Sequence, residues 1–420
     1  MEKKVLNPSL MLIILCVAIY AVSHIGRKAY DSNINEIMDF YGQEKSIVGL
    51  VGTFFFVSYA IGQVVHGLMC KYYNPKIIIG VALFVTSLMN LLVGIMPVWG
   101  FKYIKYIWLI NGFAYATFWP VTVLVMTKIV ASKYKRKAMV SLLIPVPLGT
   151  FLSYGISALM SYLNSFKYTF YLSSILLLIL GIIWSLRANV LFKACDEQKK
   201  LLNEQIISKP QPQENNLIKS KTKVPKSFIL MFSLLALLAV INNLVKDGIN
   251  TWTPTLLKEK YNLENWLSVL LTLFLPMFAM FGSFFAVALN KRTKNYSASC
   301  GILYLLATAV FVILILCLNL DAWIITLISF ILVILFMSSI NNVVTCIFPM
   351  ENGDVANPGM VAGFIDGFCY VGSAIASFGL GKIAEVFGSW NVVMYCLLGL
   401  CAIATVLCFL SMFIQKKQKS

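Results

Sequence analysis

Apolar residues run along this chain in stretches of about 20, each closed by a short polar or basic break, the length that carries a helix across a bilayer core. Twelve such stretches can be counted, at 9–36, 45–70, 76–97, 103–130, 138–163, 168–190, 227–256, 266–290, 297–318, 322–349, 357–387 and 391–414. Lipid offers an exposed backbone no hydrogen-bond partner, so runs this long are predicted to be helices. An even number of crossings returns the C-terminus to the side of the N-terminus. The pattern fails over 191–226, where Lys, Glu, Gln and Asn dominate and two prolines punctuate "KPQPQENN", a composition too polar to build a core. The expected organisation is an all-α membrane protein with a six-helix half over 1–190, a linker over 191–226 and a second, pseudo-symmetric six-helix half over 227–420.

The first span of each half carries a cation within its apolar run. Span 1 places Tyr20, His24, Arg27 and Asp31 at offsets of 4, 3 and 4, and span 7 places Asn243, Lys246 and Asn250 at offsets of 3 and 4. Each set forms one polar stripe on an otherwise apolar helix. A charge at that depth is expensive and is kept mainly where it lines a water-filled path, so Arg27 and Lys246 predict an anion site between the halves. Two competing readings stay open at this point: an intrahelical pair of Arg27 with Asp31, and a bridge from Lys246 to Asp366 in span 11. Asp247, adjacent in sequence, is expected to point elsewhere on its helix. His24 lies one turn before Arg27 on the same face, where substrate contact and a structural role are both open. His66 reads as structural.

Composition sharpens this picture. The chain is 59% hydrophobic and 12% charged over 420 residues, with a net charge of +17. That excess is not spread as a nucleic-acid surface would be. Lys3 and Lys4, Lys71 and Lys76, the cluster from Lys133 to Lys137, the 191–226 loop, Lys291 to Lys294 and Lys416 to Lys419 fall on one face, which the positive-inside rule makes cytoplasmic. Both termini are therefore expected in the cytoplasm, in a bacterial inner or plasma membrane. The ten cysteines, among them Cys16, Cys300, Cys317, Cys346, Cys396, Cys401 and Cys408, scatter through apolar runs without CxxC spacing and read as small buried hydrophobes. No small-residue cleavage site follows the first run, which reads as a retained span. With no phosphate-binding glycine loop, metal-spaced histidines or GxSxG elbow, neither an enzyme nor a cofactor or metal is expected.

Six spans, a long loop and six spans are the signature of the major facilitator superfamily. Within it, "RKAYDSNINEIMDFYG" from Arg27, "NGFAYATFWP" from Asn111, "KDGINTWTPTLLKEKY" from Lys246 and "AGFIDGFCYVGSAIASFGLG" from Ala362 resemble the organophosphate:phosphate antiporters. The resemblance implies an exchanger in which one basic residue from span 1 and one from span 7 grip a substrate phosphate, positions that fall on Arg27 and Lys246. Arg is usual at the second position, and a guanidinium binds phosphate bidentately while an ammonium is a point charge. Tyr20, Tyr59, Trp119 and Tyr370 match aromatic pore positions in these relatives, and packing is the competing role for each. His24 stands where the glycerol-3-phosphate transporter has Tyr, Gln63 where it has a cavity Lys, and Pro147 near its span 5 histidine, which argues against glycerol 3-phosphate itself. The acids of the superfamily's loop motif are replaced by Lys71 and Asn290.

The expected activity is exchange of a phosphorylated small metabolite for inorganic phosphate by alternating access, in a monomer. Two rivals accompany it: a proton-coupled carrier of another organic anion, with Asp366 or His24 carrying the proton, and a transporter-like membrane sensor of sugar phosphate.

Overall fold

The computed structural model describes residues 7–69, 72–142, 144–206, 225–316, 322–352 and 358–419. Over these residues the chain is an all-helical assembly with twelve helices long and apolar enough to cross a membrane: Pro8–Ser32, Lys45–Met69, Pro75–Ile95, Val98–Lys128, Ser132–Tyr162, Lys167–Leu202, Phe228–Tyr261, Asn265–Thr293, Tyr296–Leu316, Trp323–Glu351, Met360–Phe387 and Trp390–Met412, here spans 1 to 12. Lys3, Lys4, Lys71, Cys317 and most of the polar linker lie outside the described residues.

Local sequence explains where several helices begin and bend. Asn7 and Asn74 each precede a proline and cap the following helix, Asn7 Oδ1 accepting from Ser9 N at 3.1 Å and Asn74 Oδ1 from Lys76 N at 3.1 Å. Spans 4, 8 and 10 are interrupted near Ala116, Leu273 and the π-helix Val343–Ile347, and each interruption precedes a proline, at 120, 276 and 349. A proline has no N–H for the carbonyl four residues back, so the ladder opens there. Span 7 stays continuous through Pro254, and the Asn250 carbonyl that this proline leaves without a helical donor accepts the Tyr154 hydroxyl of span 5 at 2.8 Å. The span 6 helix continues past residue 190 to Ile206, because Leu191 and Cys195 bury one face of the extension and Gln198 accepts a bond from Ser9 at the start of span 1.

Packing repeats between the halves. Spans 2 and 4, 3 and 6, and 1 and 5 pack as do spans 8 and 10, 9 and 12, and 7 and 11. Across the boundary span 2 meets span 11 and span 5 meets span 8, the two symmetry-related pairs. Span 2 approaches so closely that a Cβ on Gly49 would lie 2.2 Å from the Ser377 carbonyl oxygen, and Ser377 Oγ donates to the Gly49 carbonyl at 2.8 Å. Two ion pairs, Lys45 with Glu259 at 2.9 Å and Lys258 with Asp39 at 2.7 Å, join the halves on the face opposite the termini. The halves are thus held together from that face inward to Arg27.

Candidate functional site

Arg27 lies half-buried on span 1 with five aromatic rings around its guanidinium: Tyr59 at 5.1 Å, Tyr115 at 5.3 Å, Phe55 at 5.5 Å, Tyr370 at 5.6 Å and Phe56 at 5.7 Å from the ring centres. Four rings come from spans 2 and 4 of the same half; Tyr370 comes from span 11 of the other. Their faces attract the cation electrostatically while keeping bulk water off it. Arg27, Asp31, Gly52, Phe55, Phe56 and Trp108 line a crevice too tight for a water molecule.

Around this cage the other span 1, 2 and 4 residues form one network. Gln63 Nε2 donates to the Tyr59 hydroxyl at 2.5 Å. The Tyr115 hydroxyl lies 2.5 Å from Nδ1 and 2.9 Å from Nε2 of His24, whose Nδ1 is also 3.1 Å from the Tyr20 carbonyl. Tyr20 packs edge-on against His24 at 4.8 Å and against the exposed Trp119 at 5.8 Å. His24, Tyr20, Tyr59, Gln63, Trp119 and Tyr370 are therefore brought together around Arg27. His66 sits apart, against Tyr73, Phe113 and Thr117.

Span 7 supplies the opposing side. Lys246 is half-buried, Asn243 is buried and accepts from Asn242 at 3.3 Å, and Asn250 donates to the Lys246 carbonyl at 2.9 Å. Neither Arg27 nor Lys246 has a carboxylate within 4.0 Å among the described residues. Asp31 does form an ion pair, but with Lys28 at 2.7 Å, three residues back on the helix and at 9% exposure each, while the Arg27 guanidinium is taken up by the rings around it. The Lys246 to Asp366 bridge is likewise not closed, although Asp366 lies within electrostatic reach of Lys246, Arg27 and Asp247. Asp247 points into this group: it is buried, accepts from Ser373 Oγ of span 11 at 2.5 Å and feels Lys246, Lys28 and Arg27.

Lys28 and Tyr115 complete the site beyond the residues singled out from sequence, and Asp247, expected to point elsewhere on its helix, joins it instead. Each carried a signal: Lys28 by its spacing to Asp31, Tyr115 by standing one turn before Trp119, and Asp247 as an acid in an apolar run. Asn290, at a position where the loop motif has an acid, is buried and accepts from Ser299 Oγ at 3.2 Å, so it serves packing at the end of span 8. Among the described residues no cluster of three or more His, Cys, Asp or Glu side chains is arranged to hold a metal ion.

Comparison with known proteins adds three findings. Residues 16–357 match the family model of the Major Facilitator Superfamily. The membrane sensor protein UhpC of Escherichia coli (strain K12) is 27% identical over 95 residues, 22% of this chain and 21% of that protein, and UhpC of Salmonella typhimurium (strain LT2) aligns with the same figures. The match thus spans about a fifth of the length of these curated relatives. Among solved structures, a bacterial homolog of the human lysosomal transporter Spinster, inward-facing and occupied, superposes with a TM-score of 0.72 at 13% identity over 96% of each chain. A mutant of the nucleoside transporter NupG superposes at 0.66 and 13% identity over 96% of this chain and 99% of that one. At such identities the likeness is one of fold.

Proposed function

For a chain that belongs to the Major Facilitator Superfamily, we propose exchange of a phosphorylated small metabolite for inorganic phosphate, with the phosphoryl group held between Arg27 and Lys246. One observation carries this reading: two half-buried cations, one from the first span of each half, both without a carboxylate in ion-pairing contact among the described residues. An anion taken between them would be gripped by both halves, which is how a ligand biases a rocking transporter. The aromatic cage supports the same reading, since it orders Arg27 without neutralising it. His24, Tyr20, Tyr59, Gln63, Trp119, Asn243 and Tyr370 then contact the organic moiety or tune the cations. We further assign the protein to the cell membrane as a monomer with both termini cytoplasmic, in keeping with the basic breaks on that face.

Full-length protein in phosphate-loaded liposomes, offered a panel of sugar phosphates, glycerol 3-phosphate and phosphoglycerates, tests the proposal. Internal phosphate should drive uptake of at least one ester. Uptake of none, with a pH gradient driving a carboxylate instead, would overturn it. The local similarity to the sensor UhpC favours a second reading, in which the same site binds sugar phosphate and signals it. That protein would bind the ester in the same liposomes and move almost none.

A further inference from the structure

The break in span 4 falls between the two side chains that this span turns toward the cage. Tyr115, just before it, stands 5.3 Å from the Arg27 guanidinium with its hydroxyl against His24, and Trp119, in the first turn after it, packs 5.8 Å from Tyr20. Where these side chains point is therefore set by how the backbone passes from Phe113 to Thr117. Its hydrogen bonds there are not those of a straight α-helix. The Ala116 N–H still donates to the Gly112 carbonyl at 3.1 Å, but the Thr117 N–H turns to the Ala114 carbonyl at 3.2 Å, three residues back. The Phe113 carbonyl thus loses the donor that an α-helix would give it, and within a membrane span it needs one from another helix.

His66 of span 2 supplies that donor. Its Nε2 lies 3.3 Å from the Phe113 carbonyl oxygen and 3.2 Å from the Thr117 hydroxyl, so one ring nitrogen reaches both sides of the break. Its Nδ1 lies 3.2 Å from the Tyr73 hydroxyl, in the link between spans 2 and 3. A single neutral form fits these contacts: Nε2 carries the proton and donates to the carbonyl, and Nδ1 accepts from Tyr73. Close approach of the two helices makes the reach possible. One turn before His66, a Cβ on Gly62 would lie 2.6 Å from that of Ala116 and 3.2 Å from the Phe113 carbonyl oxygen. A phenylalanine at 66 would fill the same buried space against Tyr73 and Phe113, but it would bring no donor.

We propose that His66, although it stands outside the cage, is a positioning residue for it: by bonding across the opened turn of span 4, it fixes the direction of Tyr115 and with it the cover over the Arg27 guanidinium. The contacts run without a gap from His66 through the turn to Tyr115, and from Tyr115 to Arg27 and His24. This role concerns the cage itself and holds whichever anion the cage takes.

Full-length protein treated with an arginine-specific dicarbonyl, with labelling of Arg27 read by peptide mass spectrometry, tests the assignment. His66→Phe keeps the ring and removes the donor, and Arg27 labelling should rise to the level of Tyr115→Ala. His66→Gln places an amide nitrogen where Nε2 stands and should label like wild type, whereas a residue that only packs is replaced better by Phe than by Gln. In Tyr115→Ala, adding His66→Phe should raise labelling no further. His66→Asn, polar but too short to reach the Phe113 carbonyl, replaces His66→Phe if that variant does not fold. Wild-type labelling in His66→Phe overturns the proposal. So does labelling in His66→Gln as high as in His66→Phe, or a rise that adds in full to that of Tyr115→Ala.

Discussion

Tyr59 and Tyr370, one from each half, meet with ring centres 4.2 Å apart at 69°, and stand 5.1 and 5.6 Å from the Arg27 guanidinium. The cover over the cation is therefore completed only when the halves are together. Tyr370→Ala should expose Arg27, because it removes the ring that the other half contributes to the cage. Labelling of Arg27 by an arginine-specific dicarbonyl, read by peptide mass spectrometry, should rise. Tyr370→Phe keeps the ring and should label like wild type; equal labelling in all three would remove Tyr370 from the cover.

The asymmetry between Arg27 and Lys246 gives a second expectation. Arg27 offers a planar fork matched to two phosphate oxygens, and an ammonium in its place keeps only the charge. Arg27→Lys should weaken phosphate binding by about tenfold or more, in line with the loss of a charged hydrogen bond of about 1.5–3 kcal/mol. Lys246→Arg should bind at least as well as wild type. Titration calorimetry of both variants decides the matter, and an unchanged affinity in Arg27→Lys would contradict a bidentate role.

Tyr154 and Asn250 make a more local test of how the halves are held. Pro254 leaves the Asn250 carbonyl without its helical donor, and the Tyr154 hydroxyl from the other half takes the place at 2.8 Å. Tyr154→Phe should weaken closure on this face by about 1–3 kcal/mol, the cost of a buried acceptor left without a donor. Tyr162 and Trp266, whose rings are 5.6 Å apart, mark the adjoining contact between the halves, from span 5 to span 8. Spin labels at those two positions should report a longer, broader distance in Tyr154→Phe.

Much of this was legible in the sequence because a bilayer leaves few choices. The twelve crossings follow from apolar length alone, the Asn-Pro pairs mark two helix starts, and prolines at 120, 276 and 349 mark the interrupted spans. Arg27 and Lys246 stood out by depth. Partner choice was not legible, because it depends on side-chain direction: Asp31 turns to Lys28, and Asp247 turns toward span 11 to Ser373. The role of Tyr115 is hidden in the sequence for a related reason, since an aromatic in an apolar span reads as packing and only the fold sets its hydroxyl against His24. The helix beyond residue 190 was hidden by polar composition, although Leu191 and Cys195 bury one face of it.

Glycines separate the stability of one half from the meeting of two. A Cβ on Gly372 would lie 2.1 Å from the Val240 carbonyl oxygen, a contact within the second half, whereas one on Gly49 would strike Ser377 across the boundary. Gly372→Ala should lower the melting temperature, with overpacking costing about 1–3 kcal/mol. Gly49→Ala should leave melting nearly unchanged and instead lengthen the distance between the labels at 162 and 266. Gly363, with nothing within 4 Å of its would-be Cβ, serves as the neutral control for both.

Glu36 carries the pH dependence expected outside the spans. It sits in the short helix Ile34–Tyr41, where one carboxyl oxygen accepts from Ser161 and the other is buried without a hydrogen-bond partner among the described residues. Burial raises its carboxyl above the ordinary glutamate range, and the Ser161 bond offsets only part of that. The folded protein therefore holds this proton more tightly than the unfolded chain does. Its contribution to stability is full below the unfolded value and is lost as pH rises through the raised one. Glu36→Gln keeps an acceptor for Ser161 and removes the ionisation. Between about pH 5 and pH 8 wild type should lose melting temperature relative to Glu36→Gln, with the variant the more stable at the upper end. Thermal unfolding of both proteins across that range checks it, and parallel curves would show that Glu36 ionises as freely in the fold as in water.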